Sequence, residues 1–158
     1  LQFLLLTGLR RREATSLRVA DVNFTERAFT VYVTKNKLPL ALPMSGVTES
    51  LLRQRLAETN NDYIFYGAGR DGRLNDPRKA IARLRDASGV QFTLHDLRRT
   101  FLTLAESMDI SAYALKRLVN HSPGKDVTAG YIRMDVERLR APTQDITDYI
   151  MTLARQRL

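Results

Sequence analysis

No cysteine occurs among the 158 residues, which removes disulfides, thiolate nucleophiles and cysteine-ligated metals together. Histidine is nearly as scarce: two are present, far apart at positions 95 and 121, a poor start on a tetrahedral zinc site. No apolar run approaches the roughly 20 residues that a bilayer-spanning helix needs. The opening "LQFLLLTGLR" lacks the basic head and small-residue cleavage site of a signal peptide. An apolar helix from the first residue, with no initiator methionine, predicts a domain taken from a longer chain. These absences predict a cytoplasmic protein with no membrane partner and no bound metal. Repeats, low-complexity tracts and linkers are also missing, and 44% hydrophobic residues are enough for one well-buried domain over 1–158. Acid is in deficit as well. Seventeen Asp and Glu face 25 Lys and Arg, a net charge of +8 that points to a polyanion such as nucleic acid. Plain solubility is the competing explanation of that charge.

What remains reads as a mainly α, α+β domain. Residues 2–6 form a helix that "TG" closes, with Gly8 suited to the left-handed position, and "RREATSLR" continues as a second helix. In "FTVYVTK" the period changes to two: Phe29, Val31 and Val33 alternate with Thr30, Tyr32 and Thr34. "VADVNF" and "LPLALP" flank it as partners, giving a small antiparallel three-stranded sheet near the N-terminus, with Pro39 and Pro43 confining the last strand to an edge. Beyond residue 46 helices dominate. "VTESLLRQRLAE" is one; Asp76 and Pro77 start another that stops at Gly89; Thr93 and Asp96 form a capping box opening a third at Leu94. "SAYALKRLVN" and "DVTAGYIRMDVERLR" follow, and "TQDITDYIMTLARQRL" closes the chain as a separate helix after Pro142.

"GAGRDG" at 67–72 matches G-x-G-x-x-G, the glycine pattern of dinucleotide sites. That chemistry needs a helix opening within the motif and a parallel sheet around it. Neither is in prospect, so the segment is expected to be a surface loop and no cofactor is expected.

A scattered set of groups is more informative. Arg10 lies just past a helix end, Lys35 and Lys37 at a hairpin tip, His95 and Arg98 one turn apart, His121 in "NHSPG" and Tyr131 in "VTAGYI". Brought together, the arginines, lysine and histidines would make a donor pocket suited to phosphate, which arginine grips with two parallel hydrogen bonds. Tyr131 is a nucleophile candidate. Singly, each has a plainer explanation: Arg10 to Arg12 as a solvated run and His95 as a structural histidine, while Tyr131 competes with Tyr32, Tyr63, Tyr66, Tyr113 and Tyr149, most of which sit in apolar stretches and are expected to pack in the core.

The order Arg…Lys…His-x-x-Arg…His…Tyr, with "TGLRRREATSLRVADV" around the first arginine, resembles the tyrosine recombinase (phage integrase) family. "LVNHSPGKDVTAGYI" is particularly similar to integrases of prophages and genomic islands. The resemblance runs from Thr7 to the last helix. It implies a catalytic domain that cuts and rejoins double-stranded DNA at attachment sites, without ATP or metal, during integration or excision of a mobile element. By that similarity Arg10 and Arg98 would hold the scissile phosphate's non-bridging oxygens and His121 would add a hydrogen bond. Tyr131 would attack phosphorus, Lys35 (or Lys37) would protonate the departing 5′-oxygen, and His95 would take the phenol's proton. Glu13 would orient Arg10. The resemblance also implies an absent N-terminal DNA-binding domain and domain opening, and a homotetramer on DNA. Two departures stand out: Asn120 replaces the glycine usual before the histidine, and the His121–Tyr131 interval is one residue longer than is commonest. A DNA-binding relative without catalysis and a type IB topoisomerase-like relaxase are the alternatives. The terminal helix, apolar at Ile146, Tyr149, Ile150 and Leu153, suits packing on its own domain or on a partner.

Overall fold

The computed structural model describes residues 1–35, 37–120 and 136–156. Helix α1 (Gln2–Thr7) buries Phe3, Leu4 and Leu6 and ends at Gly8, whose φ of +62° only glycine adopts without strain. The same glycine is required sterically, because a Cβ there would lie 2.5 Å from Phe101 Cδ1. Gly8 therefore lets the end of α1 sit directly on α5 (Leu94–Glu106). Helix α2 (Arg11–Thr15) follows at once.

A turn of 3-10 helix at Val19–Asp21 leads into β1 (Val22–Asn23), then β2 (Ala28–Val31) and β3 (Leu40–Pro43). The three pair antiparallel in the order β1-β2-β3, with Val22 opposite Phe29, Phe29 opposite Leu42 and Val31 opposite Leu40. The proline-bearing strand is at the edge, as expected. The strands are shorter than the alternation predicted. Phe29 and Val31 are buried, but pairing stops at Val31, leaving Tyr32 59% and Val33 43% exposed. Of "VADVNF", the first half is the 3-10 turn.

Two further pairings lie outside this sheet. Val19 N–H donates to the Asp62 carbonyl (2.8 Å) and Ile64 N–H to that of Leu17 (3.1 Å). Beyond them Tyr66 pairs with Arg73, and Gly67 N–H donates to the Gly72 carbonyl at 2.9 Å. "GAGRDG" is thus a closed hairpin tip. No helix opens within it, since α4 (Arg78–Ser88) begins six residues later, so no dinucleotide cradle forms. Pro77 occupies the N-cap of α4, and Asp76 one residue earlier caps it through Oδ1, which accepts from Arg78 N–H at 3.0 Å.

Helix α3 (Gly46–Glu58) starts at Ser45, whose hydroxyl accepts from Thr48 N–H. Helix α5 begins at the expected capping box: Asp96 N–H donates to Thr93 Oγ1 (3.2 Å) and Thr93 N–H to Asp96 Oδ2 (2.8 Å). Helix α6 (Ala112–Leu118) is capped by Ser111. The core is one cluster in which Phe3, Leu6, Leu9, Leu17, Phe29, Leu52, Ile64, Phe101, Leu139 and Ile146 are all at most 2% exposed. Each such side chain contributes about 1.5–3 kcal/mol through burial.

The last helix departs from expectation. Helix α7 (Val136–Arg155) runs without interruption through Pro142. Proline lacks the N–H that would reach the Arg138 carbonyl, and in mid-helix this usually breaks the element. Leu139 on one side of Pro142 and Thr143 and Ile146 on the other are buried, so packing holds both halves to one axis. The helix lies on its own chain, against β3, α1, α5 and α6. Residues 126–135 of the preceding predicted helix lie outside the described residues.

Candidate active site

The site is built where α1 meets α5 and α6. After Gly8, buried Leu9 turns the chain, and Arg10 takes an extended backbone (φ −71°, ψ 153°) as the N-cap of α2. Its backbone N–H donates to Glu13 Oε2 at 2.7 Å, and its Nη1 donates to Glu13 Oε1 at 3.0 Å. The Glu13 side chain is 2% exposed, while that of Arg10 is 35% exposed. A buried carboxylate thus fixes both the backbone and the side chain of Arg10 and leaves the guanidinium open to solvent.

Arg98 lies one turn into α5 and is 6% exposed. Its Nη1 donates to the Gly8 carbonyl and its Nη2 to the Val119 carbonyl, both at 2.6 Å. Each of these carbonyls stands two residues before another predicted site residue, Arg10 in one case and His121 in the other. Arg98 therefore cross-links the α1–α2 turn to the end of α6. A guanidinium carries five N–H donors, so three remain for a ligand. Among the described residues no carboxylate ion-pairs with Arg98. Burial pulls its pKa down, the Arg10 cation acts in the same direction, and Glu13 opposes them. A buried cation with no carboxylate in ion-pair contact, beside a second cation and offset only by the nearby Glu13, is costly, and a further anion would lower that cost.

Asn120, at the end of α6, has φ +50°. Glycine adopts this left-handed conformation freely, and asparagine is among the few other residues that tolerate it. The asparagine at this position thus adopts a backbone conformation that a glycine would also adopt.

The other predicted groups divide. His95, in the first turn of α5, is exposed and its side chain makes no hydrogen bond to a described residue. Lys35 is exposed between β2 and β3, and Lys37 beside it has φ +59°. Neither lysine is brought to the arginine pair by any contact among the described residues. His121 and Tyr131 lie outside the described residues. The other tyrosines do not pack in the core as expected: Tyr32, Tyr66 and Tyr149 are 59%, 45% and 37% exposed, and Tyr63 and Tyr113 are half-buried. The two carbonyls that hold Arg98 were invisible in the sequence, because a backbone oxygen has no residue signature. Only the "TG" stop at Gly8 hinted at one of them.

A buried guanidinium and a partly exposed guanidinium held by one carboxylate are brought together at the junction of α1, α2, α5 and α6. Residues 1–138 match the model of the phage integrase family, and the chain belongs to that family. It is 31% identical to the prophage integrase IntF of Escherichia coli K12 over 98% of its length, and 28% identical to the tyrosine recombinase XerA of Saccharolobus solfataricus over 89%. The chain spans 34% and 46% of those two proteins. In fold it is similar to the integrase of mycobacterium phage Brujita (TM-score 0.71, 19% identity, 91% of this chain and 50% of that one). It is also similar in fold to an XerH site-specific recombinase bound to its difH substrate (TM-score 0.62, 22% identity, 77% and 38%).

Proposed function

We propose that this chain supplies the catalytic domain of a site-specific DNA recombinase. It would cut and rejoin strands through a 3′-phosphotyrosine intermediate during integration or excision of a mobile element. The observation that carries the reading is Arg98: a buried cation with three free donors, no carboxylate partner and the Arg10 guanidinium as neighbour. A phosphodiester satisfies that centre. Its charge is single in the ground state and grows as the pentacoordinate transition state forms, so fixed donors bind the transition state more strongly than the substrate.

In this reading Arg10 and Arg98 hold the two non-bridging oxygens, and His121 adds a third donor. The Tyr131 oxygen attacks phosphorus and its proton passes to His95. The P–O bond to the 5′-oxygen breaks, and Lys35 gives that oxygen a proton. Reversal with a new 5′-hydroxyl rejoins the strand, so neither a metal nor a nucleotide cofactor enters. The exposure of Lys35 and His95 fits groups that meet their partners only once DNA is bound. The basic surface, with Arg11, Arg12 and Arg78 exposed, supports double-stranded DNA as the partner. Homotetramer assembly on paired sites and a cytoplasmic location belong to the same reading. No helix among the described residues is long and apolar enough to cross a membrane.

The test is a nicked duplex that traps the covalent complex, used with the full chain. The unaltered protein should form a covalent protein–DNA band, Tyr131→Phe should form none, and DNA binding should weaken steeply with salt. A band that persists in Tyr131→Phe overturns the nucleophile assignment. Binding without any covalent band in the unaltered protein would favour a non-catalytic DNA-binding module.

A further inference from the structure

Helix α5 meets the turn between α1 and α2 at two points on one face. Arg98, Phe101 and Ala105 are its buried residues, spaced as a single helical stripe. Arg98 Nη1 reaches the Gly8 carbonyl at 2.6 Å. One turn on, a Cβ at Gly8 would lie 2.5 to 3.1 Å from three carbons of the Phe101 ring, so the ring fills the space a side chain would take. One helix thus grips Gly8 by a polar and an apolar contact together. The chain there has little slack. Gly8 N–H donates to the Leu4 carbonyl (3.0 Å), Thr7 Oγ1 to the Phe3 carbonyl (2.6 Å), and only Gly8, Leu9 and Arg10 separate α1 from α2. Arg10 is in turn held by the buried Glu13 carboxylate. A change in how closely α5 approaches Gly8 is therefore passed along two peptide units to Arg10, while Arg98 moves with α5.

As a core residue, 1% exposed, Phe101 would add stability anywhere in the cluster; its place on the Arg98 stripe gives it a second effect. We propose that Phe101 is a positioning residue for the two arginines: its ring, seated on Gly8, sets the gap between α5 and the α1–α2 turn, and with it the separation of the Arg98 and Arg10 guanidiniums. This inference rests on the reading that both guanidiniums hold the non-bridging oxygens of one phosphate. Donors aimed at those oxygens must be placed before the charge develops, whereas attraction to DNA is shared among many other cations. An error in the spacing should therefore fall on cleavage and spare affinity.

The test measures single-turnover cleavage of a trapping duplex and DNA affinity separately, with the full chain, at a temperature where every variant is folded. Phe101→Leu should slow cleavage roughly ten- to a hundredfold, as expected when groups at the reacting centre are misplaced by about 1 Å, with affinity unchanged. Leu52→Ala, which removes packing from the same core on the α3 side, should slow it far less. Phe101→Met, closer in volume, should be intermediate, and it carries the comparison if Phe101→Leu does not fold. In an Arg98→Lys background Phe101→Leu should cost much less than it does alone, because residues acting through one contact are not additive. Stabilisation by inorganic phosphate should shrink in Phe101→Leu and persist in Leu52→Ala. A defect shared equally by Leu52→Ala, one explained by lost affinity, full additivity with Arg98→Lys, or an undiminished phosphate response each overturns the proposal. No covalent band from the unaltered chain instead refutes the recombinase reading, and the phosphate responses of the two variants then decide the role of Phe101 by themselves.

Discussion

Arg98 carries two burdens at residue scale. In the proposed reading it offers charge to a phosphate, and it ties Gly8 to Val119 through two neutral carbonyls. Since the charge lacks a carboxylate partner, binding of an anion should stabilise the folded state by mass action. The thermal midpoint should rise with inorganic phosphate at constant ionic strength, and Arg98→Gln should lose that dependence. A phosphate response that survives Arg98→Gln places the anion elsewhere. Asn120 gives a second residue-scale test. Asn120→Gly should change stability by less than about 0.5 kcal/mol, whereas Asn120→Val, forced to a positive φ, should cost about 1–3 kcal/mol in denaturant unfolding. The identities of Arg10, Glu13 and Arg98 were legible in the sequence. Their division into an exposed hand and a buried keystone was not, because it depends on carbonyls drawn from two other elements.

Among the elements, α7 shows how packing overrides local preference. Pro142 read locally is a helix break; the structure runs through it because buried residues lie on both sides. The same helix contains a defect. The hydroxyls of Thr143 and Thr147 are buried without a hydrogen-bond partner among the described residues. An unsatisfied buried hydroxyl costs about 1–3 kcal/mol, so Thr147→Val, of nearly the same shape, should raise stability by about 1 kcal/mol in denaturant unfolding. A destabilised Thr147→Val would mean that the hydroxyl has a partner in solution. By contrast the caps at Gly8, Gly89 and Thr93–Asp96 were legible from the sequence, since each is satisfied within a few residues of itself.

Four surface carboxyls of this domain add to its stability only while they are ionised. Hydrogen bonds from Arg53 to Glu49, Arg78 to Asp76, Thr93 to Asp96 and Arg140 to Glu137 hold each below its ordinary range. A folded pKa below the unfolded one favours folding while the group is ionised. The contribution is therefore complete above the ordinary carboxylate pKa of about 4 and fades as pH falls through the lowered values. The thermal midpoint should decline below about pH 4.5. High salt should reduce the part due to Glu49, Asp76 and Glu137, which rest on arginines, more than that of Asp96, which rests first on a hydroxyl. A decline that begins near pH 6 would mean that these carboxyls are not its cause.

Most helices and their caps, the three-stranded sheet and its edge, the excess positive charge and the residue types of the candidate site could be read from the sequence. All of these follow from periodicity, turn chemistry and side-chain identity, which act within a few residues. Only the tertiary structure decided that β2 stops at Val31, that α7 passes through Pro142, and that Arg98 is buried between Gly8 and Val119 while Lys35 and His95 stay in solvent. Those outcomes depend on which distant surfaces meet, and on carbonyl oxygens that every residue carries alike.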